Sequence, residues 1–317
     1  MTDTQNEVFK TPVNKIRLFE HGAPGSQNLK LTRKYYTEDM PDGRVKHIVQ
    51  NITDPDIVPY IPDGIGNSTD RQRIPAVLII PGGAFRRLVY NFEGEDVAKW
   101  LNSMGIAAFV LECRLPSDEH DNAEDVPLID AMRAMRVIRG RAQEFGIDEA
   151  KIGVMGFSAG GFMAALLSTA YESDVYADYK YKDEYDKLSA RPDFAVCSYP
   201  VISIDDCIEA GKRYMSEEQV LQRISDSKAK ILHKYNPDKL VRPDMPPIFI
   251  CETDDDRTTL SENSVGFYMA ARKAGVSAEL HIFRTGGHGY GCGDDFAQTG
   301  EWKVLFTKWI KRIGIIS

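Results

Sequence analysis

Short apolar runs of strand length, separated by segments with helical spacing, constrain this chain more than any other feature. "PAVLII" (75–80), "IAAFVLE" (106–112), "KIGVMG" (151–156), "DFAVCSYP" (193–200) and "PPIFICE" (246–252) recur along it, and "AELHIF" (278–283) follows. A run that is apolar on both faces of a strand belongs in the middle of a sheet covered on both sides. Between two of these runs, "VPLIDAMRAMRVIRGRAQEFG" sets Leu128, Met132, Met135, Ile138 and Ala142 on one stripe, the spacing of a helix that packs by one face. Arg133, Arg136 and Arg139 fall opposite and read as a solvated face rather than a phosphate site. Further helices are expected at 92–104, 159–171, 261–275 and 299–313. Strand–helix alternation of this kind implies an α/β fold with right-handed crossovers, a mostly parallel central sheet of about eight strands flanked by helices. Upstream, "RVKHIVQNI" and "DIVPYIPDG" read as two shorter strands at an antiparallel edge.

With 317 residues, 43% of them apolar, the chain is long enough for one large core. No linker, repeat or low-complexity tract divides it, so 1–317 reads as a single domain. Within it, 1–73 forms an N-terminal extension with edge strands, and 171–245 forms a lid-like pair of insertions, one rich in tyrosine and one mostly helical. The net charge of −8 argues against a nucleic-acid partner. No run approaches the roughly 18 apolar residues of a membrane span. The start, "MTDTQNEVFK", lacks the basic end and apolar run of a secretory signal, so a cytoplasmic location is expected. Cys113, Cys197, Cys207, Cys251 and Cys292 are odd in number and scattered, the pattern of reduced packing residues rather than a disulfide framework or zinc site.

Chemistry concentrates in "GVMGFSAGGFMAA" (153–165). Gly156-Phe157-Ser158-Ala159-Gly160 fits G-x-S-x-G between an apolar strand and a helix, the context of a nucleophile elbow. Side chains on either flanking glycine would collide with the neighbouring elements in such a turn. A serine hydroxyl needs a base, and His288 in "RTGGHGYG" is the histidine placed for it, after the last strand and before the final helix. His281 and His47 lie within strands, and His21, His120 and His233 precede the elbow or sit in polar surroundings. The base needs a carboxylate to orient it. "ICETDDDRTT" offers Asp254, Asp255 and Asp256, of which Asp256 is favoured and Asp254 is next. A calcium site built from the three lacks the ligand spacing and glycine of a calcium loop. Donors for an oxyanion are expected from the backbone N–H groups of Gly83 and Ala84 in "LIIPGGAF" and of Ala159 after the serine.

The chain resembles the acetyl-esterase and acetylxylan-esterase-like (sugar esterase) branch of the α/β-hydrolase superfamily, from about Ile16 to its end. The likeness rests on "IRLFEHGAPG", "PGGAF…EGEDVAKWLNSMGIAAFVLECRLP", "PLIDAMRAMRVIRGRAQEFGID", "KIGVMGFSAGG", "RPDFAVCSYPVIS" and "ENSVGFYMAARKAGVSAELHIFRTGGHGYG". It implies a nucleophile at Ser158, a histidine at His288 and an acid at Asp256. It further implies a serine esterase without metal or cofactor, acting on a small-molecule ester, often an acetyl group on a sugar. Feruloyl or aryl esters, and an amide substrate cut by the same triad, are the enzymatic alternatives; a hydrolase-fold binding protein is the non-enzymatic one. Assembly into a homo-oligomer is compatible with all of them. Three positions depart from the family: Ala84 replaces a common third glycine, Phe162 a common histidine and Cys113 a common tyrosine. The segment carrying Tyr171, Tyr176, Tyr179, Tyr181 and Tyr185 is longer than expected. It reads as local packing or a subunit contact ahead of a stacking surface for sugar or aromatic acyl groups.

Overall fold

The structure is a computed structural model, and it describes residues 9, 12–64, 73–213, 216, 218–219, 227–293 and 298–317. The six apolar runs all become strands of one sheet: β5 (Ile74–Ile80), β7 (Ala107–Glu112), β8 (Ile147–Phe157), β9 (Ala195–Ser198), β10 (Ile248–Thr253) and β11 (Ala278–Phe283). Two earlier strands, β1 (Ile16–Arg17) and β4 (Asp56–Tyr60), complete an eight-stranded sheet in the order β1-β4-β7-β5-β8-β9-β10-β11. β1 and β4 are antiparallel to their neighbours, and every pairing from β7 to β11 is parallel. All residues of β7, β9 and β10 are buried, as continuous apolar runs in a doubly covered parallel sheet should be.

The early strands divide differently from the expectation of one shared edge. β4 joins the main sheet, whereas β3 (Val45–Gln50) pairs with β2 (Lys34–Asp39) and with the two-residue β6 (Leu88–Val89) in a separate three-stranded antiparallel sheet. Long-range pairing decides this, because strand propensity does not say which edge a short strand will meet.

Helices form close to the expected places: α1 (Asp96–Ser103), preceded by one wide turn at Asn91–Glu95, α2 (Val126–Gly140), α3 (Ala142–Phe145) and α4 (Ala159–Ala170). The helices Ser261–Lys273 and Glu301–Arg312 follow later in the chain. α2 carries Leu128, Met132, Met135 and Ile138 of the predicted stripe, with Ala142 falling in α3, yet α2 is buried on most of its circumference, Arg133 included. The arginine row is not a solvated face. Arg133 pairs with Asp183 and, at 3.0 Å, with Asp186. The Arg136 guanidinium meets the Tyr176 hydroxyl, which itself donates to Asp186 at 2.8 Å. The tyrosine-rich segment is thus strapped across α2 by the cations that the sequence reading left to water. A buried arginine is tolerated there because each guanidinium is hydrogen-bonded as well as paired.

Candidate active site

Parallel strands deliver the chemistry-bearing loops to one edge of the sheet. β5 leads into Pro81-Gly82-Gly83-Ala84, β8 into Ser158, β10 into Asp254-Asp255-Asp256, and β11 into the loop that carries His288. Ser158 has φ 53° and ψ −118°, a left-handed backbone unusual for a residue with a side chain. A methyl group on Gly156 would run into the Gly160 carbonyl, and one on Gly160 into the Ile80 carbonyl. Those close approaches are why the turn needs both glycines.

The hydroxyl of Ser158 lies 2.8 Å from His288 Nε2, and His288 Nδ1 lies 2.6 Å from Asp256 Oδ2. The structure therefore brings Ser158, His288 and Asp256 together, and of the three aspartates it is Asp256 whose carboxylate meets the imidazole. Asp256 is buried, and its second oxygen accepts the N–H groups of Thr258 and Thr259 at 2.7 and 2.9 Å. Asp254 turns outward to Arg284, while Asp255 accepts the Gly287 N–H at 2.8 Å and so tethers the histidine loop. Such an alcohol–imidazole–carboxylate chain can move a proton off the alcohol while the carboxylate holds the imidazole tautomer and stabilises its charged form. Behind Asp256, desolvation and the neighbouring Asp256 charge push the fully buried Glu252 carboxyl well above its ordinary range. Both effects favour the neutral form of Glu252 beside Asp256.

Gly83 and Ala84 line the same cavity, of about 230 Å³, as Ser158 and His288. Gly83, Ala84 and Phe85 all have positive φ, at 137°, 56° and 59°, so two residues with side chains hold a conformation that suits glycine. Ala159 begins α4 directly after the serine. Its N–H belongs to the helix's open first turn, where donors have no intrahelical partner.

Three functional residues escaped the sequence reading. Glu93 is 4% exposed, accepts the Gly82 N–H at 2.8 Å and accepts the Tyr199 hydroxyl at 2.9 Å. Burial raises the Glu93 carboxyl above its ordinary range, opposed by His288, by the Tyr199 hydroxyl and by the Gly82 N–H. Tyr199, buried at φ 37°, accepts the Gly291 N–H at 3.0 Å and sets its ring against His288, with centroids 5.0 Å apart. Thr259 puts its hydroxyl 3.0 Å from Asp256 Oδ2 and 3.2 Å from His288 Nδ1. The available signals were a carboxylate in the otherwise mostly apolar and aromatic "VYNFEG" and a tyrosine directly after a buried strand.

No described residue of the 171–245 insertion lines the cavity over Ser158. Within that segment Tyr176, Asp183 and Asp186 bond to α2 and Lys234 meets Asp125 in the loop before it at 2.7 Å, whereas Ala195–Ser198 is a strand of the main sheet. The wall comes instead from the small sheet, through Met40, Arg44 and Lys46. Residues 214–215, 217 and 220–226 lie outside the described residues.

Residues 65–270 match the BD-FAE family. An acetylxylan esterase of Xylanibacter ruminicola is 30% identical over 240 residues, covering 75% of this chain and 45% of that protein. An endo-1,4-beta-xylanase B of Butyrivibrio fibrisolvens is 31% identical over 227 residues, covering 71% of this chain and 34% of that protein. The chain thus spans less than half the length of these curated relatives. The crystal structure of an acetyl ester-xyloside bifunctional hydrolase from Caldicellulosiruptor lactoaceticus superimposes with a TM-score of 0.71 at 35% identity, covering 96% of this chain and 97% of that one. An esterase from Thermogutta terrifontis in its propionate-bound form gives a TM-score of 0.64 at 23% identity, covering 93% and 96%, a likeness of fold. A family match over well over half of the chain, with an eight-stranded, mostly parallel sheet and a superposition on a solved hydrolase that covers nearly the whole chain, leads to one conclusion: the chain has the α/β-hydrolase fold and belongs to the BD-FAE family.

Proposed function

We propose that the protein is a serine esterase that removes short acyl groups, chiefly O-acetyl groups of carbohydrates or other small alcohols, through an acyl-enzyme. The observation that carries this reading is the hydrogen-bonded chain from Ser158 through His288 to Asp256, at 2.8 and 2.6 Å, opening on a cavity that Gly83 and Ala84 also line. His288 Nε2 takes the Ser158 proton as the oxygen attacks the ester carbonyl. The N–H groups of Gly83, Ala84 and Ala159 receive the developing oxyanion. His288 then protonates the departing alcohol and later activates water, which releases the acid and restores Ser158.

A short acyl group fits the space on offer. Behind the Gly82–Phe85 loop, the void beside Ala159 that Phe85, Leu115 and Met163 line holds about 10 Å³, close to the room of a single water. Phe85 stacks edge-on against Phe162 at 5.5 Å and closes that side. A cytoplasmic location goes with this reading and is supported by Cys113, Cys197 and Cys251, all buried and free.

Matched acetyl, octanoyl and feruloyl esters, with an acetyl amide of the same leaving group, test the proposal. The acetyl ester should turn over fastest, and Ser158→Ala should lower its rate by about 10³-fold or more without unfolding the protein. A fluorophosphonate probe should label the parent protein and spare the variant. Equal rates for parent and variant would refute the assignment of Ser158, and preference for the amide or the octanoyl ester would refute the substrate class.

A further inference from the structure

The cavity over Ser158 has a cationic wall in an acidic protein. Three cations, Arg44, Lys46 and Arg87, line it with Met40 and Phe92, although the whole chain carries a net charge of −8. Two of them are engaged. Arg44 pairs with Asp42 at 2.8 Å and lies 5.2 Å over the Phe92 ring, and Arg87 pairs with Glu38 at 2.5 Å. Lys46 differs. It stands directly opposite Glu38 in the β2–β3 register, yet the Glu38 carboxylate is turned to Arg87. Among the described residues no carboxylate comes within ion-pair distance of the Lys46 ammonium. Glu93, the acid that also lines the cavity, commits its oxygens to Gly82 and Tyr199. Among the described residues the wall therefore sets Arg44, Lys46 and Arg87 against the surface carboxylates Asp42 and Glu38, and the half-buried Lys46 lines the same cavity as Ser158 and acts electrostatically on Glu93.

We propose that Lys46, backed by Arg87, is an anion subsite for the alcohol half of the ester, and that the preferred substrates are acylated sugars bearing a carboxylate, that is, acylated uronates or oligosaccharides carrying one. This rests on the esterase reading above and narrows it. With the acyl half directed toward Phe85, as proposed above, the substituent that reaches Lys46 belongs to the leaving alcohol. The roughly 230 Å³ available suits one sugar ring. A single ammonium matches a monoanionic carboxylate, and the flanking guanidiniums supply the planar donors that a carboxylate accepts.

The test compares an O-acetyl methyl glucuronide with the matched O-acetyl methyl glucoside at low ionic strength. The uronate should show the higher kcat/KM, by about fivefold, the size expected of one partly screened charge pair. Added salt should shrink that ratio toward unity. Lys46→Gln should collapse the ratio, Lys46→Glu should invert it, and Lys46→Arg should keep it. Equal kcat/KM for the two esters at low salt, or a ratio unmoved by Lys46→Gln, overturns the subsite. Equilibrium binding of the two unacetylated glycosides to Ser158→Ala separates this outcome from a failure of the esterase reading. Preferential binding of the uronate, lost in Ser158→Ala/Lys46→Gln, upholds the subsite even when neither ester is cleaved. Equal binding of both glycosides refutes it independently of turnover.

Discussion

Glu93 joins two loops that the chain order keeps apart. Its oxygens hold Gly82 at the root of the Gly83–Ala84 loop, the proposed oxyanion donors, and Tyr199 beside the histidine, and Tyr199 in turn holds Gly291. Gly82 has no space for a side chain: a Cβ there would lie 2.7 Å from Glu93 Oε2 and 2.9 Å from Ser158 Cβ. Glu93 is therefore a positioning residue for the N–H groups that follow. Glu93→Ala leaves a buried N–H without a partner, at a cost of about 1–3 kcal/mol, and should lower kcat about tenfold or more while KM changes little. Glu93→Gln keeps an acceptor for Gly82 and should recover part of that loss. Steady-state kinetics on an acetyl ester, corrected for folded fraction, checks both. A merely structural role would lower stability and leave kcat per folded molecule unchanged. At the same scale, Ser158 and His288 could be read from glycine context and chain order, because both signals are local. Glu93 could not, because its partners lie 11 and 106 positions away.

The segment after β7 shows an element fixed by distant partners. Arg114 is enclosed, with Asp130 as its ion-pair partner at 2.6 Å, and donates to the Ser26 hydroxyl at 2.9 Å. His120, in the following loop, meets the same Ser26 hydroxyl at 3.0 Å, so the loop anchors the N-terminal extension. Desolvation, helped by Arg114, lowers His120 from 6.5 to about 4. On acidification the unfolded chain therefore takes up this proton first. The stability that His120 contributes is complete above pH 6.5 and is lost as the pH falls toward 4. Asp118 runs the other way. Desolvation raises it from 3.8 to about 6, so its contribution is present at low pH and is lost as the pH rises through 6. The two offset each other in the parent protein. His120→Gln removes one of them, and its stability relative to the parent should improve by about 1–3 kcal/mol between pH 7 and pH 4.5. Urea midpoints at the two pH values measure this, and an unchanged difference would refute the buried neutral imidazole. The elements themselves were largely legible: all six apolar runs became strands of the main sheet. Legibility failed where pairing is non-local, in the separate sheet formed by β2, β3 and β6 and in the arginine row of α2, which the tyrosine segment covers.

At the scale of the molecule, one core runs through both faces of the sheet and includes Cys113, Cys197, Cys251 and Cys292. Cys197 and Cys251 are fully buried in adjacent strands, and desolvation pushes the Cys251 thiol up to about 12. In a Cys207→Ser background, Cys113, Cys197, Cys251 and Cys292 should resist a thiol reagent in the native protein. They should become reactive together, at the denaturant concentration where far-ultraviolet circular dichroism is lost. Reaction of any of the four well before that point would show that the core opens in parts. The order of strands and helices, and the serine and histidine that crown it, followed from sequence alone, because periodicity and turn chemistry are properties of neighbouring residues. The sequence left Asp256 and Asp254 as alternatives and gave no sign of Glu93, Tyr199 or the wall carrying Lys46. Those depend on which loops meet at the carboxyl edge of the sheet and on which carboxylate a cation finds already taken. Only chain closure over a hundred residues or more sets such distances, as the 130-residue separation between Ser158 and His288 illustrates.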